Sequence, residues 1–343
     1  MSLEITPKDT IQGLKRLFRA DKVPMLVGSP GIGKSDIINN LAKSVDLEVR
    51  DLRLAQADPT DLLGFPTHDG LRMSYAPPSI FPLEGIDELP KGKKGWLIFL
   101  DEMNSATPNL QAAAYKIVLD RKVGDYNLHP NTWVVCAGNK TTDKAVVNRL
   151  STAMQSRLIH LNLVISHDDW LEWANNNGID HRVISFIKFR PERLHTFDPN
   201  HNDDTFACPR TWSFLSDIIK HTSKFDYVDY ALMSGTVGQG PATEFKAYCD
   251  IYTSLPTIED MINNPTGVKL PGNSEPDKQY AITTLISHNM NAGNIDALIK
   301  VTGKLPPEMQ LLTLKDVYSK TPDLKGHPLI IKWVTDNAHL MIG

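Results

Sequence analysis

The sequence predicts an α/β protein: a five-stranded parallel sheet wrapped by helices, then a mostly helical second half. Three observations predict it. Short apolar runs alternate with helix-spaced segments through the first half. One such pair brackets a glycine-rich octet, Gly28-Ser29-Pro30-Gly31-Ile32-Gly33-Lys34-Ser35. From about Ser166 the strand-like runs stop and helical spacing takes over.

The octet fits G-x-x-x-x-G-K-[ST]. Its glycines let backbone N–H groups turn inward around a phosphate. Lys34 can reach the β- and γ-phosphates, and the Ser35 hydroxyl can hold Mg²⁺. Its setting supports a nucleotide site over a plain glycine turn. Val23-Pro24-Met25-Leu26-Val27 before it reads as a buried parallel strand. Ile37, Ile38, Leu41, Ala42 and Val45 after it repeat at helical spacing, and a helix N-terminus attracts anions.

The strands expected in order are Lys22–Val27, Glu48–Leu54, Trp96–Leu100, Thr132–Ala137 and Ile159–Val164. Between the third and fourth, Thr107 can cap a helix whose first turn takes Pro108. Leu110, Ala113, Ala114, Ile117 and Val118 form its apolar face. Ser166 and Asp169 open a further helix carrying Trp170, Leu171 and Trp173. Another runs from about Arg210 to Lys220, after a polar loop at Asp198–Asp204. Trp170, Trp173 and Trp212 read as core of this helical part. Beyond Tyr227 the signal weakens: Pro256, Pro265, Pro271 and Pro276 divide the chain, with helices expected near Thr243–Tyr252 and Asp277–Asn289.

Composition excludes several classes. The 343 residues are 41% apolar and 22% charged, as in an ordinary globular protein. A net charge of −4 speaks against a nucleic-acid coat or a polybasic membrane binder. No stretch approaches the roughly 18 apolar residues of a membrane span. The N-terminus does not read as a signal peptide. Cys136, Cys208 and Cys249 lack metal-ligand spacing and read as reduced thiols. The eleven histidines form no zinc motif, and His160 and His167 read as structural. A cytoplasmic protein is the expectation.

Further chemistry clusters downstream of the octet. Trp96–Leu100 ends in Asp101-Glu102. A buried strand would bring Asp101 to the carboxyl edge of the sheet, where it can hold Mg²⁺ through water. Glu102 is then placed to polarise an attacking water. The plainer alternative is an exposed acidic turn. Thr132–Ala137 is followed by Gly138-Asn139, where Asn139 can help position that water or simply serve a turn. Arg149 and Arg157 are candidate phosphate-facing arginines, set against the bland alternative of a solvated helix end.

Taken in order, Gly28–Ser35, Asp101-Glu102, Asn139, Ala153-Met154-Gln155-Ser156-Arg157 and Cys208-Pro209-Arg210 resemble the Walker A, Walker B, sensor 1, arginine-finger and sensor 2 motifs of AAA+ ATPases. Within that superfamily the chain is similar to the MoxR-type, helix-2-insert group of phage and bacteria. The motifs cover roughly residues 10–220. The resemblance implies an αβα core over 1–165, a helical lid over 166–225 and a helical C-terminal extension over 226–343. It implies binding and hydrolysis of ATP to ADP with Mg²⁺ held by Ser35 and Asp101. It further implies a homo-oligomeric ring, usually a hexamer, in which Arg157 completes a neighbour's site and Arg210 senses nucleotide from the lid. Cys208 departs from the serine often found before Pro-Arg. Ala57–Pro66 resembles the stretch before the helix-2 insert, with Thr67–Ala76 as a hairpin turning at Asp69-Gly70. Val123–Pro130 resembles a second hairpin, with Gly124-Asp125 near its turn. In the family such hairpins face the pore or substrate; the alternative is two surface hairpins without contacts.

The function expected is an ATP-driven ring that remodels a protein client, one carrying a von Willebrand factor A domain being a reasonable partner. A DNA-directed motor is the rival, with the basic loop Lys91-Gly92-Lys93-Lys94-Gly95 as its one local support and the acidic balance against it. A nucleotide-gated scaffold that barely turns over is the non-enzymatic rival. No membrane partner is expected.

Overall fold

The computed structural model describes residues 3–68, 70–143, 148–200, 203–252 and 254–336. The chain divides into two compact units, 1–166 with 198–200, and 167–197 with 201–343.

The first unit runs β1 (Glu4–Ile5), α1 (Pro7–Arg19), β2 (Pro24–Val27), α2 (Lys34–Ser44), β3 (Leu47–Arg53), α3 (Pro59–Leu63), β4 (Phe65–His68), β5 (Met73–Ala76), β6 (Gly95–Asp101), α4 (Pro108–Asp120), β7 (Lys122–Val123), β8 (Tyr126–Asn127), β9 (Thr132–Gly138), α5 (Thr152–Gln155) and β10 (Ile159–Leu163). Its main sheet is wholly parallel, in the order β1-β10-β2-β9-β6-β3. The sheet has six strands, not the five expected. The sixth, β1, pairs only Glu4 and Ile5 with Asn162 and Leu163. Two residues carry no periodicity, so this edge strand exists only because β10 offers it a partner.

Alternation along the strands builds two cores. Met25, Ile98, Leu100, Val134 and Cys136 face one way and bury against Leu110, Ala114 and Ile117 of α4. Leu26, Leu97, Phe99, Val135 and Ala137 face the other way, against Leu14 of α1 and Ile37, Ile38 and Leu41 of α2. A strand covered on both faces must be apolar at every position, as β6 and β9 largely are. Two hairpins leave the sheet. β4 pairs β5 antiparallel with Thr67 opposite Ser74, and β7 pairs β8 across Gly124-Asp125. Asp69, expected in the first turn, lies outside the described residues.

The second unit is helical: α6 (His167–Asn176), α7 (His181–Phe189), α8 (Pro209–Ile219), α9 (Tyr227–Val237), α10 (Gln239–Tyr252), α11 (Ile258–Asn263), α12 (Pro276–Asn289), α13 (Ile295–Thr302), α14 (Pro307–Lys320) and α15 (Pro328–Asp336). An aromatic group of Phe186, Trp212, Phe245 and Tyr248 joins α7, α8 and α10. Trp212 is fully buried and donates from Nε1 to Arg193 O at 2.8 Å. Trp170 is also buried, while Trp173 is half-buried. Asp180 and Arg182 form a buried ion pair at 2.8 Å, and the guanidinium also donates to the carbonyls of Ile219, which ends α8, and Thr222 just after it. No helix among the described residues is long and apolar enough to cross a membrane.

Candidate functional site

The parallel register decides which residues meet. Val27 lies beside Gly138, Leu100 beside Cys136, and Arg53 beside Asp101. The carboxyl ends of β2, β9 and β6 therefore share one edge, and the Gly28 loop, Asn139 and Asp101-Glu102 emerge together there. Ligand sites of open parallel sheets form at such edges.

The loop is shaped by its glycines at two points. Gly33, which begins α2, has a φ of 90°, a left-handed conformation that a side chain would strain. A Cβ on Gly28 would stand 3.2 Å from the Leu163 carbonyl oxygen and closer still to Ile32. Thr6, Thr107 and Ser151 cap α1, α4 and α5 with their side chains, whereas no side chain caps α2. A helix N-terminus without a side-chain cap is a ready-made place for an anion.

Lys34 turns back over this loop. Its ammonium donates to Gly28 O at 2.7 Å, Ser29 O at 3.1 Å and Asn139 Oδ1 at 3.1 Å. Ser35 Oγ stands 3.5 Å from Asp101 Oδ2, and Asp101 Oδ1 accepts from Glu102 N at 2.8 Å. A hydroxyl facing a carboxylate offers hard oxygens of the kind Mg²⁺ takes while keeping several waters. Asp51 on β3 adds to the negative field: desolvation, then the charge of Asp101, pushes its carboxyl above the usual range. Glu102 has a φ of 56°, left-handed for a non-glycine residue. Strain of that kind costs about 1–3 kcal/mol and gathers where a side chain must be aimed.

Asn139 is held by a residue that sequence reasoning missed. Asn104, 7% exposed, donates from Nδ2 to Asn139 O at 2.7 Å and accepts at Oδ1 from Asn139 N at 3.1 Å. The signal available was an amide three positions after Asp101 at the end of an apolar strand.

Of the candidate arginines, Arg149 lines one cavity with Val27, Asn104 and Asn139. Arg157 is exposed, donates from Nη1 to Ala153 O at 3.1 Å and stands 5.9 Å from the Tyr115 ring centroid. Arg149 is exposed beside buried Leu150. Arg210 is exposed in the first turn of α8, where Cys208 N donates to Thr211 Oγ1 at 2.8 Å. It belongs to the second unit. His160 contacts Gln155 O and His167 contacts Ile187 O, both through ring nitrogens.

No protein-family model and no curated protein sequence matches this chain. Among solved structures, a candidate ATPase of Cytophaga hutchinsonii covers 92% of this chain and 81% of its own at 13% identity, with a TM-score of 0.38. NtrX of Brucella abortus, solved with ADP, covers 97% and 68% at 10% identity, TM-score 0.41. A RuvB variant of Thermotoga maritima covers 95% and 86% at 12% identity, TM-score 0.35. Overlaps this loose carry no inference about function.

Proposed function

We propose that the chain is an ATPase of the AAA+ superfamily, of MoxR type, that works as a homo-oligomeric ring, the hexamer usual in that group, on a protein client. The observation that carries this reading is the Lys34 ammonium held between its own loop and Asn139, with Ser35 and Asp101 facing each other beside it. Three strand ends thereby supply a phosphate cradle, a cation site and a polar group toward the γ-phosphate.

In this reading the Gly28–Ser35 loop and the uncapped start of α2 bind the phosphates of ATP. Lys34 exchanges its carbonyl bonds for phosphate oxygens. Ser35 and Asp101 would hold Mg²⁺, which would supply charge neutralisation for the phosphates. Glu102 accepts the proton of the attacking water, and Asn139 orients that water. Arg157 reaches a neighbouring subunit's ATP, and Arg210 answers to nucleotide from the helical part. Residues 1–165 act as core, 166–225 as lid and 226–343 as extension.

The hairpins favour a protein client over nucleic acid. Phe65, Leu71 and Met73 on the first are 69%, 95% and 61% exposed. A Cβ on Gly124 would stand 3.2 Å from Tyr75 Cβ, so the second hairpin abuts the first and adds Tyr126 to the same apolar surface. By contrast, Lys94 of the basic loop is already paired with Asp46 at 2.8 Å.

ATPase assays test the reading. The Lys34→Ala variant should lose nucleotide binding. Glu102→Gln should bind ATP like the wild type and hydrolyse it at least about a hundredfold more slowly. Equal, slow rates in wild type and Glu102→Gln would instead indicate a nucleotide-gated scaffold.

A further inference from the structure

The pairing of β6 with β9 stops before it reaches the site. The last paired residues of β6 and β9 are Leu100 and Cys136. Past that point Met103 N donates to Ala137 O at 2.8 Å, and then a side chain replaces the ladder. The Asn104 carboxamide carries one donor and one acceptor, as a peptide group does. It satisfies both main-chain groups of Asn139, which would otherwise be left without partners at the sheet end. Gly138 is shaped for this contact, since a Cβ there would stand 2.2 Å from Asn104 Oδ1.

Asn104 is bonded on its other side as well. Its carbonyl accepts from Asn148 N at 2.6 Å, and Asn148 Nδ2 donates to Ala106 O at 2.8 Å. Asn148 precedes Arg149 and opens the segment that ends at Arg157. An unbroken run of hydrogen bonds thus leads from Lys34 through Asn139 and Asn104 to Asn148.

We propose that Asn104 is the positioning residue of this site. Its amide clamp sets where the Asn139 side chain meets Lys34. Its carbonyl ties that setting to the root of the arginine-bearing segment. The catalytic consequence rests on the ATPase reading above; the clamp rests on the bonds alone.

Two variants test it in the full-length protein. Asn104→Asp keeps the shape but places a carboxylate oxygen against Asn139 O. Asn104→Leu removes both bonds. In Asn104→Leu, hydrogen exchange without nucleotide should show the Asn139 amide losing protection, whereas Asn104→Asp keeps its acceptor; the cooperative melt should persist in both. ATP turnover should fall about tenfold to a hundredfold, the scale of an ångström-level misplacement. The Kd for a fluorescent ATP analogue should stay within about threefold, as expected when binding is not the interaction lost. Added to Asn139→Ala, Asn104→Leu should cost less than about twofold more, because both act through one group. Fully multiplicative losses, unchanged exchange at Asn139 in Asn104→Leu, or loss of the cooperative melt in both variants would overturn the proposal. A wild type that fails to hydrolyse ATP overturns the ATPase reading instead, and the exchange measurement still decides the clamp.

Discussion

Lys34 Nζ and Asn139 Oδ1 stand 3.1 Å apart, although 105 positions separate them in the chain. The parallel pairing of β2 with β9 makes this contact, because Val27 and Gly138 end side by side. The same ammonium also donates to Gly28 O and Ser29 O, so its own loop holds it from the other side.

Replacing Asn139 by alanine removes one acceptor from Lys34 but leaves Gly28 O and Ser29 O. ATP affinity should change by less than about threefold while turnover drops at least about tenfold. The comparison is an equilibrium titration against a steady-state rate. Parallel losses in both would reassign Asn139 to binding.

Among the described residues, Arg157 donates to Ala153 O and stands over the Tyr115 ring, and it is exposed. Assemblies made wholly of Arg157→Ala subunits should hydrolyse ATP about 10³-fold more slowly or worse. Mixing them with Lys34→Ala subunits should restore part of the rate, since each variant keeps the half-site that the other lacks. No recovery on mixing, in assemblies shown to contain both subunits, would place the arginine's role elsewhere.

Gly138→Ala would push a methyl group to 2.2 Å from Asn104 Oδ1 and 2.8 Å from Met25 Cε. Overpacking of this kind costs about 1–3 kcal/mol. Thermal melts should show the loss, and turnover should fall with it as the Asn104 amide is displaced. An unchanged melting temperature would mean that the β9 end yields more easily than its packing suggests.

The second unit should show an acid limb. Burial by itself would raise the Asp180 carboxyl, but the bonds from Arg182, with the charges of His181 and Arg182, hold it below the usual carboxylate range. A lowered native pKa stabilises the fold above the unfolded value of about 4, and that contribution is lost as pH falls through the native value. Asp180→Ala should flatten this limb. It should also cost about 3–5 kcal/mol at neutral pH, because a buried guanidinium is left without its carboxylate. Chemical denaturation across acidic pH measures both effects, and a limb that survives the substitution would point to other carboxylates.

Much of the first unit was legible in the sequence because it rests on local patterns. Apolar runs marked five strands, Thr107-Pro108 marked the start of α4, and Gly33-Lys34-Ser35 marked the turn into α2. Helix-spaced residues likewise marked α8, α10 and α12 to within a few residues. What stayed hidden depends on partners distant in the chain. The two-residue β1 has no pattern of its own and exists through β10. Asn104 reads as an unremarkable loop amide until β9 is placed beside it.

By itself, then, the sequence marked five strands of the main sheet, several of the helices and the glycine loop, because backbone preference and hydrophobic period act over a few residues. Only the tertiary structure decided the strand order β2-β9-β6, the turn of Lys34 toward Asn139, the pairing of Asp180 with Arg182 and the clamp made by Asn104. Those are matters of which strand end lies next to which. Register between distant segments is settled by burial on both sheet faces at once, and no short stretch of sequence carries that information.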